Sequence, residues 1–160
     1  MAKKQYIEFE DAEIIYRNFE GREDKFNRAG NRHFSVILSE EQAIKLSDMG
    51  CNVKRTKPRD PEEEGRPYVK ILLGMYDPEI YVITRGRKKL LQPNQYAKLD
   101  RLEIEQADLE VSRSNKEWES NGKTGYSLYL ETLVCKIRES RILSKYDEYD
   151  DSEDIEELPF

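Results

Sequence analysis

Apolar and polar residues alternate with a period of two over most of this chain, in short runs separated by polar turns, the pattern of half-buried β-strands. Ala12-Glu13-Ile14-Ile15-Tyr16-Arg17-Asn18-Phe19 predicts a first strand and His33-Phe34-Ser35-Val36-Ile37-Leu38 a second. The two are expected to pair through a long polar loop, residues 20–31, that holds Gly21 and Gly30. The pattern then changes. Ser39-Glu40-Glu41-Gln42 has the capping-box form, Ala43, Ile44 and Leu46 supply an apolar face and Gly50 a stop, so one short helix is predicted. Residues 51–56 return to a strand, and 57–65, with two prolines and a run of charges, predict a loop. Strands follow at 68–73 and 79–84, joined through Met75-Tyr76-Asp77-Pro78. After a basic run at 85–89, residues 94–106 fit either a helix or irregular structure. The last strands are predicted at 108–112 and 126–137. Between them Asn121-Gly122 sits in a loop long enough for a β-arm rather than a tight two-residue turn.

Several short strands, one capped helix and long polar loops predict a mainly β fold, an OB-like, partly open barrel with one or two short helices. An OB barrel usually carries its helix between the third and fourth strands, whereas the capped helix here follows the second predicted strand. The body is assigned to residues 1–143 and an acidic tail, too charged to pack and expected to be disordered, to 144–160. Such a body is large enough to bury a core without disulfides. Cys51 and Cys135 both fall in predicted strands and are expected to be reduced and buried. No apolar stretch is long enough for a signal peptide or a membrane span, so a soluble intracellular protein without membrane contact is expected.

Charge separates the same two parts. The chain carries 27 Lys and Arg against 33 Asp and Glu, a net charge of −6. Residues 147–160 hold eight of those acids and no base, which leaves 1–146 with 27 against 25 and a net charge of +2. A mildly basic body with a strongly acidic tail suits contact with polyanions, and it excludes a highly cationic, histone-like binder.

Binding an unpaired nucleic-acid strand without reading its sequence requires rings that stack on bases and cations that neutralise phosphates. The first loop and its flanks interleave both: Tyr16, Arg17, Phe19, Arg22, Lys25, Phe26, Arg28, Arg32 and Phe34. Tyr16 and Phe34 lie on strands and fit core or surface equally. Phe19 and Phe26 stand among polar loop residues and are expected to be exposed. Arg85, Arg87, Lys88 and Lys89, around Gly86, form a second basic cluster suited to phosphate, or to a solubilising edge turn. Alternation puts Arg66, Tyr68 and Lys70 on one strand face and Val69, Ile71 and Leu73 on the other, which predicts the first set for a groove and the second for the core. Trp118, the only tryptophan, is either a base-stacking platform or a cap over the barrel mouth.

Catalysis is hard to build from these residues. His33 is the only histidine and has neither cysteine near it in sequence. Glu8, Glu10 and Asp11, and the acids at 62–64, are of a type that binds Mg²⁺, but in so charged a chain they read as solvated surface. No catalytic residue, metal or cofactor is expected.

The terminal residues Asp154-Ile155-Glu156-Glu157-Leu158-Pro159-Phe160 join an acidic run to a short apolar plug, a form suited to recognition by another protein. This tip resembles the acidic C-terminal tip of bacterial and phage single-stranded DNA-binding proteins. Residues 17–34 are similar to the R-N-F-x-G-…-F/Y-N-x-x-G-x-R-x-F pattern of a group of bacteriophage proteins of that kind. The resemblance implies sequence-independent single-stranded DNA binding and protection during phage DNA replication and recombination, in the cytoplasm of a bacterial host. It implies a tail that recruits replication or repair proteins and that occupies the DNA groove when DNA is absent, on a body that is a monomer or homodimer. Two other readings stay open: a DNA-mimicking inhibitor or interaction module acting on a host nucleic-acid enzyme, and a small metal-dependent nuclease.

Overall fold

The computed structural model describes residues 5–25, 27–58, 60–74 and 76–138. Its strands are β1 Gln5–Phe9, β2 Ile14–Asn18, β3 His33–Ile37, β4 Lys54–Arg55, β5 Pro67–Leu72, β6 Glu79–Thr84, β7 Arg87–Leu90, β8 Ile104–Arg113, β9 Trp118–Ser120, β10 Lys123–Gly125 and β11 Leu128–Ile137. The helix α1, Glu40–Asp48, lies between β3 and β4, and a 3₁₀ helix, Pro93–Asp100, lies between β7 and β8.

The main sheet runs β1-β8-β11-β5-β3-β2. Its pairings are antiparallel except where β11 runs parallel to β5 and then to β6. The two ends of that path, β1 and β2, are consecutive in the chain and joined by a short bend at 10–13. They act as the two halves of one bent strand, which brings the sheet round into a mainly β, OB-like barrel. The bent strand changes partner from β8 to β3, and β5 meets β11 over only Leu128 and Tyr129, which leaves the barrel partly open. The bend is held by β8, through Ala12 N–H to Ala107 O at 2.8 Å and Asp11 N–H to the Asp108 carboxylate at 2.7 Å.

Counting β1–β2 as the first barrel strand, β3 as the second and β5 as the third places the 3₁₀ helix at the usual OB helix position. The capped helix α1 is then an insertion between the second and third strands. Its capping box is present as predicted, with Ser39 Oγ accepting from Gln42 N–H and Gln42 Oε1 from Ser39 N–H. Its apolar face is narrower than expected. Ala43 and Leu46, three apart, are buried, whereas Ile44 is 63% exposed because one residue turns about 100° around a helix.

Other differences have local causes. β1 escapes sequence reading because it is an edge strand with only Phe9 buried, so its alternation is faint. The basic run at 85–89 is half strand: β6 and β7 form a hairpin through Arg85 and Gly86, both with positive φ (52° and 74°), the signature of a tight primed turn. Asn121 and Gly122 (52° and 78°) make the same kind of turn, so the arm from β9 to β10 does end in a tight two-residue turn. The strand expected at 51–56 shrinks to β4 and an isolated bridge from Cys51 to Tyr126. Inward residues such as Phe34, Val36, Ile71, Ile80, Val111 and Leu133 make one core with essentially no exposure. Cys51 and Cys135 are buried thiols, and burial pushes that of Cys135 up to about 12. Among the described residues no helix is long and apolar enough to cross a membrane.

Candidate nucleic-acid interface

The pairing of β3 with β5 sets His33 opposite Leu72, Ser35 opposite Lys70 and Ile37 opposite Tyr68. Cross-strand partners share a face, so these six look outward while Phe34, Val36, Val69 and Ile71 look in. The predicted division of β5 is borne out: Val69, Ile71 and Leu73 are buried, while Lys70 is exposed and Tyr68 half-buried. In an OB barrel this face, with the loop between strands one and two and the loop between strands four and five, is where oligonucleotides bind. Here those loops are residues 19–32 and the arm 114–127. A groove of ≈ 280 Å³ lies between them, with Asn31, Asn52, Lys54, Lys70, Leu72, Trp118 and Tyr126 in its walls.

The groove is electrostatically unbalanced. Lys54 pairs with Tyr68 in β5, which makes it the diagonal neighbour of Lys70. Lys70 is exposed as a residue, but partial desolvation of its amine, followed by the charge of Lys54, holds that amine below its ordinary value, with only Asp24 opposing. His33 is likewise pushed down, first by burial and then by Lys70, against weaker pulls from Asp24 and Asp100. Its Nδ1 is buried and finds no hydrogen-bond partner among the described residues. Two like charges side by side on one sheet face are unfavourable until an anion sits between them.

Rings border the cations. Tyr16 is thrown outward by a register shift between Ile15 and Asn18, has φ of 50° and is 56% exposed. Its ring reaches across β3 to meet Tyr68 edge-on, with centroids 5.3 Å apart. Arg66 stands at that end, paired with Glu13 at 2.8 Å.

The first loop corrects several expectations. Phe19 is 1% exposed, not exposed as its polar neighbours suggested, and its ring stacks on buried Phe34 at 5.0 Å. Neither ring offers a face to a base. Arg17 is also committed inward, donating through Nη1 to Leu99 O and Leu102 O at 2.7 and 2.6 Å. Arg32 is tied to Asp77 at 3.1 Å and lies over Tyr96. Asparagines stitch the loop itself. Asn18 Oδ1 accepts from the N–H groups of Gly21 and Arg22, Asn27 Nδ2 donates to Arg22 O and Asn31 O, and Asn31 Nδ2 donates to Asn27 Oδ1. Gly30 N–H closes it onto Gly21 O at 2.8 Å, both glycines lying at positive φ (84° and 76°). The motif residues therefore build the loop, and the cations between them, Arg22, Lys25 and Arg28, are the exposed ones. Phe26 lies outside the described residues.

The arm is anchored at its base. Tyr126 N–H donates to Gly50 O at 3.0 Å, and the Arg113 guanidinium lies 4.1 Å from the Tyr126 ring while donating to Met49 O at 2.8 Å. Trp118 is half-buried against the groove.

The basic hairpin does not join this site. β5 meets β11 at Leu128 and Tyr129, whereas Lys88 pairs with Ile83, which pairs with Lys136. That is roughly 26 Å farther along β11 at about 3.3 Å per residue. Lys88 there lies 4.8 Å from the Tyr81 ring centroid, with Arg85, Arg87 and Lys89 on the same hairpin. The tip residues Asp154, Ile155, Glu156, Glu157, Leu158, Pro159 and Phe160 lie outside the described residues, as does the expected boundary at 143. A larger cleft of ≈ 490 Å³ on another wall is lined by Glu8, Glu10, Asp11, Asp108 and Glu110 and repels phosphate. Among the described residues no three His, Cys, Asp or Glu side chains gather as a metal site. Sequence reading missed Lys54, Asn52 and Tyr126: Lys54 reaches the groove through its register with Tyr68, and Asn52 and Tyr126 flank or form the isolated Cys51–Tyr126 bridge, all long-range pairings.

Comparison with known proteins gives a family and a fold. The family model described as "Putative phage ssDNA-binding domain" matches residues 1–157. A solved structure of the single-stranded DNA-binding protein from bacteriophage Enc34, with a C-terminal truncation, has a TM-score of 0.55 and 12% identity over 84% of this chain and 87% of that one. A second Enc34 structure gives 0.53 and 13% over 91% and 90%, and one in complex with ssDNA gives 0.53 and 12% over 84% and 88%. At such identity the likeness is one of fold. Among curated proteins none matches the chain. With the family match running over almost the whole sequence, the chain belongs to the phage ssDNA-binding domain family, a family of binding proteins rather than enzymes.

Proposed function

We propose that the protein binds single-stranded DNA without regard to sequence, laying the strand over β3 and β5 between loop 19–32 and arm 114–127. The observation that carries this reading is the Lys54–Lys70 pair, two crowded cations flanked by the Tyr16, Tyr68 and Trp118 rings. Lys54 and Lys70 take phosphates, the rings take base faces, and Arg22, Lys25 and Arg28 draw the strand in from the loop above. Phosphate charge and ring faces are common to every sequence, so the contact is indifferent to base identity. Family membership and the Enc34 complex with ssDNA support the same assignment. In the phage cycle such a protein protects unpaired strands during replication and recombination, and the tail ending in Phe160 recruits replication or repair proteins.

The test is a salt titration of fluorescent oligo(dT) binding. Lys54→Gln with Lys70→Gln is expected to weaken binding at least tenfold and to flatten the salt slope by about 1.4, at roughly 0.7 per single-strand phosphate contact. A double variant with the wild-type slope would remove phosphate from the groove. Failure of the wild-type protein to bind any oligonucleotide would favour the DNA-mimicking inhibitor instead.

A further inference from the structure

Two glycines near the base of the arm each carry an aromatic ring where a side chain would be. Trp118 opens β9 directly opposite Gly125 at the end of β10. A Cβ on Gly125 would stand 2.8 Å from Trp118 Cζ2 and 3.1 Å from Cε2, so the indole rests on bare backbone. Below it, a Cβ on Gly50 would stand 2.7 Å from Tyr126 Cδ2, so that ring rests on the residue just past α1. Tyr126 is fixed further by its N–H bond to Gly50 O and by the Arg113 guanidinium. Tyr126 follows Gly125 directly, so the seat of the indole is fixed to the body rather than to the arm's tip at Asn121 and Gly122. One side of Trp118 is thus packed, while the residue as a whole is half-buried and lines the groove beside Lys70 and Leu72.

We propose that Gly125 is a positioning residue for strand binding: it seats Trp118 against the arm backbone so that the open face of the indole stacks on a base in the groove. The proposal rests on the binding reading above. It also separates the two roles a lone tryptophan could take here. A cap over the barrel mouth would be indifferent to which way its outer face looks, whereas a stacking platform depends on that angle. Gly125 lies outside the positive-φ region, so alanine there is compatible with its φ; the new Cβ would press first on the indole, at 2.8 Å, and more lightly on Gly50 O, at 3.3 Å, which the unfolding measurement below monitors.

Trp118 is the only tryptophan, so its emission reports this site alone. The experiment titrates the full-length protein and its Gly125→Ala, Trp118→Ala, Trp118→Phe, Gly125→Ala/Trp118→Ala and Gly125→Ala/Trp118→Phe variants with labelled oligo(dT), and follows tryptophan quenching where the residue remains. Thermal unfolding of each variant is recorded alongside. Expected are strong quenching in the wild type and roughly tenfold weaker binding with reduced quenching in Gly125→Ala. No further loss is expected when Gly125→Ala is added to Trp118→Ala. The smaller ring of the Gly125→Ala/Trp118→Phe variant should recover part of the loss. Tight binding of the labelled strand without quenching would make Trp118 a cap and overturn the proposal while leaving the groove standing. Additive losses, or no rescue by phenylalanine, would assign Gly125 to folding alone. Absence of wild-type binding would instead remove the groove reading itself.

Discussion

His33 opens β3 at one end of the proposed binding face, its Nδ1 buried and without a hydrogen-bond partner among the described residues, with Asn18 from β2, Leu72 and Lys70 from β5, Asp24 from the loop and Asp100 from the 3₁₀ helix around it. Burial, then the Lys70 charge, lowers its pKa from the ordinary 6.5. The unfolded chain therefore takes up a proton before the folded one does, so this residue's contribution to stability is full above about pH 6.5 and declines as pH falls toward the folded pKa. Chemical denaturation at pH 7.5, 6.5 and 5.5 should show the wild type losing more stability on acidification than His33→Gln. Parallel pH profiles would mean that His33 titrates as in the unfolded chain. A phosphate beside Lys70 offsets the charge that repels the imidazolium, so oligonucleotide affinity should rise on acidification in the wild type and less so in His33→Gln. Phe19 teaches a different lesson at this scale. Its polar neighbours made it look exposed, yet Asn18 Oδ1 and the distant Asp100 carboxylate are taken up by backbone N–H groups around it, while the ring itself turns in to Phe34.

At the scale of elements, what was legible depended on whether the cause was local. The capping box of α1, the alternation of β5 and the length of β6 are written in neighbouring residues, and they hold. β1 was hidden because an edge strand with one buried residue has almost no alternation to read. β7 was hidden because its four residues, Arg-Lys-Lys-Leu, owe their extended state to the Arg85–Gly86 turn and the ladder to β6 rather than to any apolar pattern. The site was half legible for the same reason. Tyr68 and Lys70 could be placed on one face from a period of two, but Lys54 joins them only through its register with Tyr68, and no spacing along the chain encodes that. The basic hairpin was visible as charge. Its separation from the groove follows from where β6 meets β11, a long-range pairing.

For the whole molecule, charge is divided between walls: lysines in the groove, carboxylates in the larger cleft, and eight acids in residues 147–160. We propose that this acidic segment competes with phosphate for the cationic groove. Deleting 147–160 is expected to raise oligo(dT) affinity several-fold at low salt, with the gain fading as salt screens both contacts. Equal affinities of the two proteins at low salt would show that the tail leaves the groove alone. The asparagine-stitched loop bears on the same encounter through time rather than affinity. A binding arm that must first order itself adds a slow step, seen as an association rate that levels off at high ligand concentration. Here the loop is closed on itself before any strand arrives, by Asn18, Asn27, Asn31 and the Gly30–Gly21 bond. Stopped-flow traces should thus be single exponentials whose rate climbs linearly with oligonucleotide, and a plateau would reveal an ordering step. For the protective role proposed above, a loop already closed by these bonds at the moment of collision shortens the time that an unpaired stretch lies bare to a nuclease.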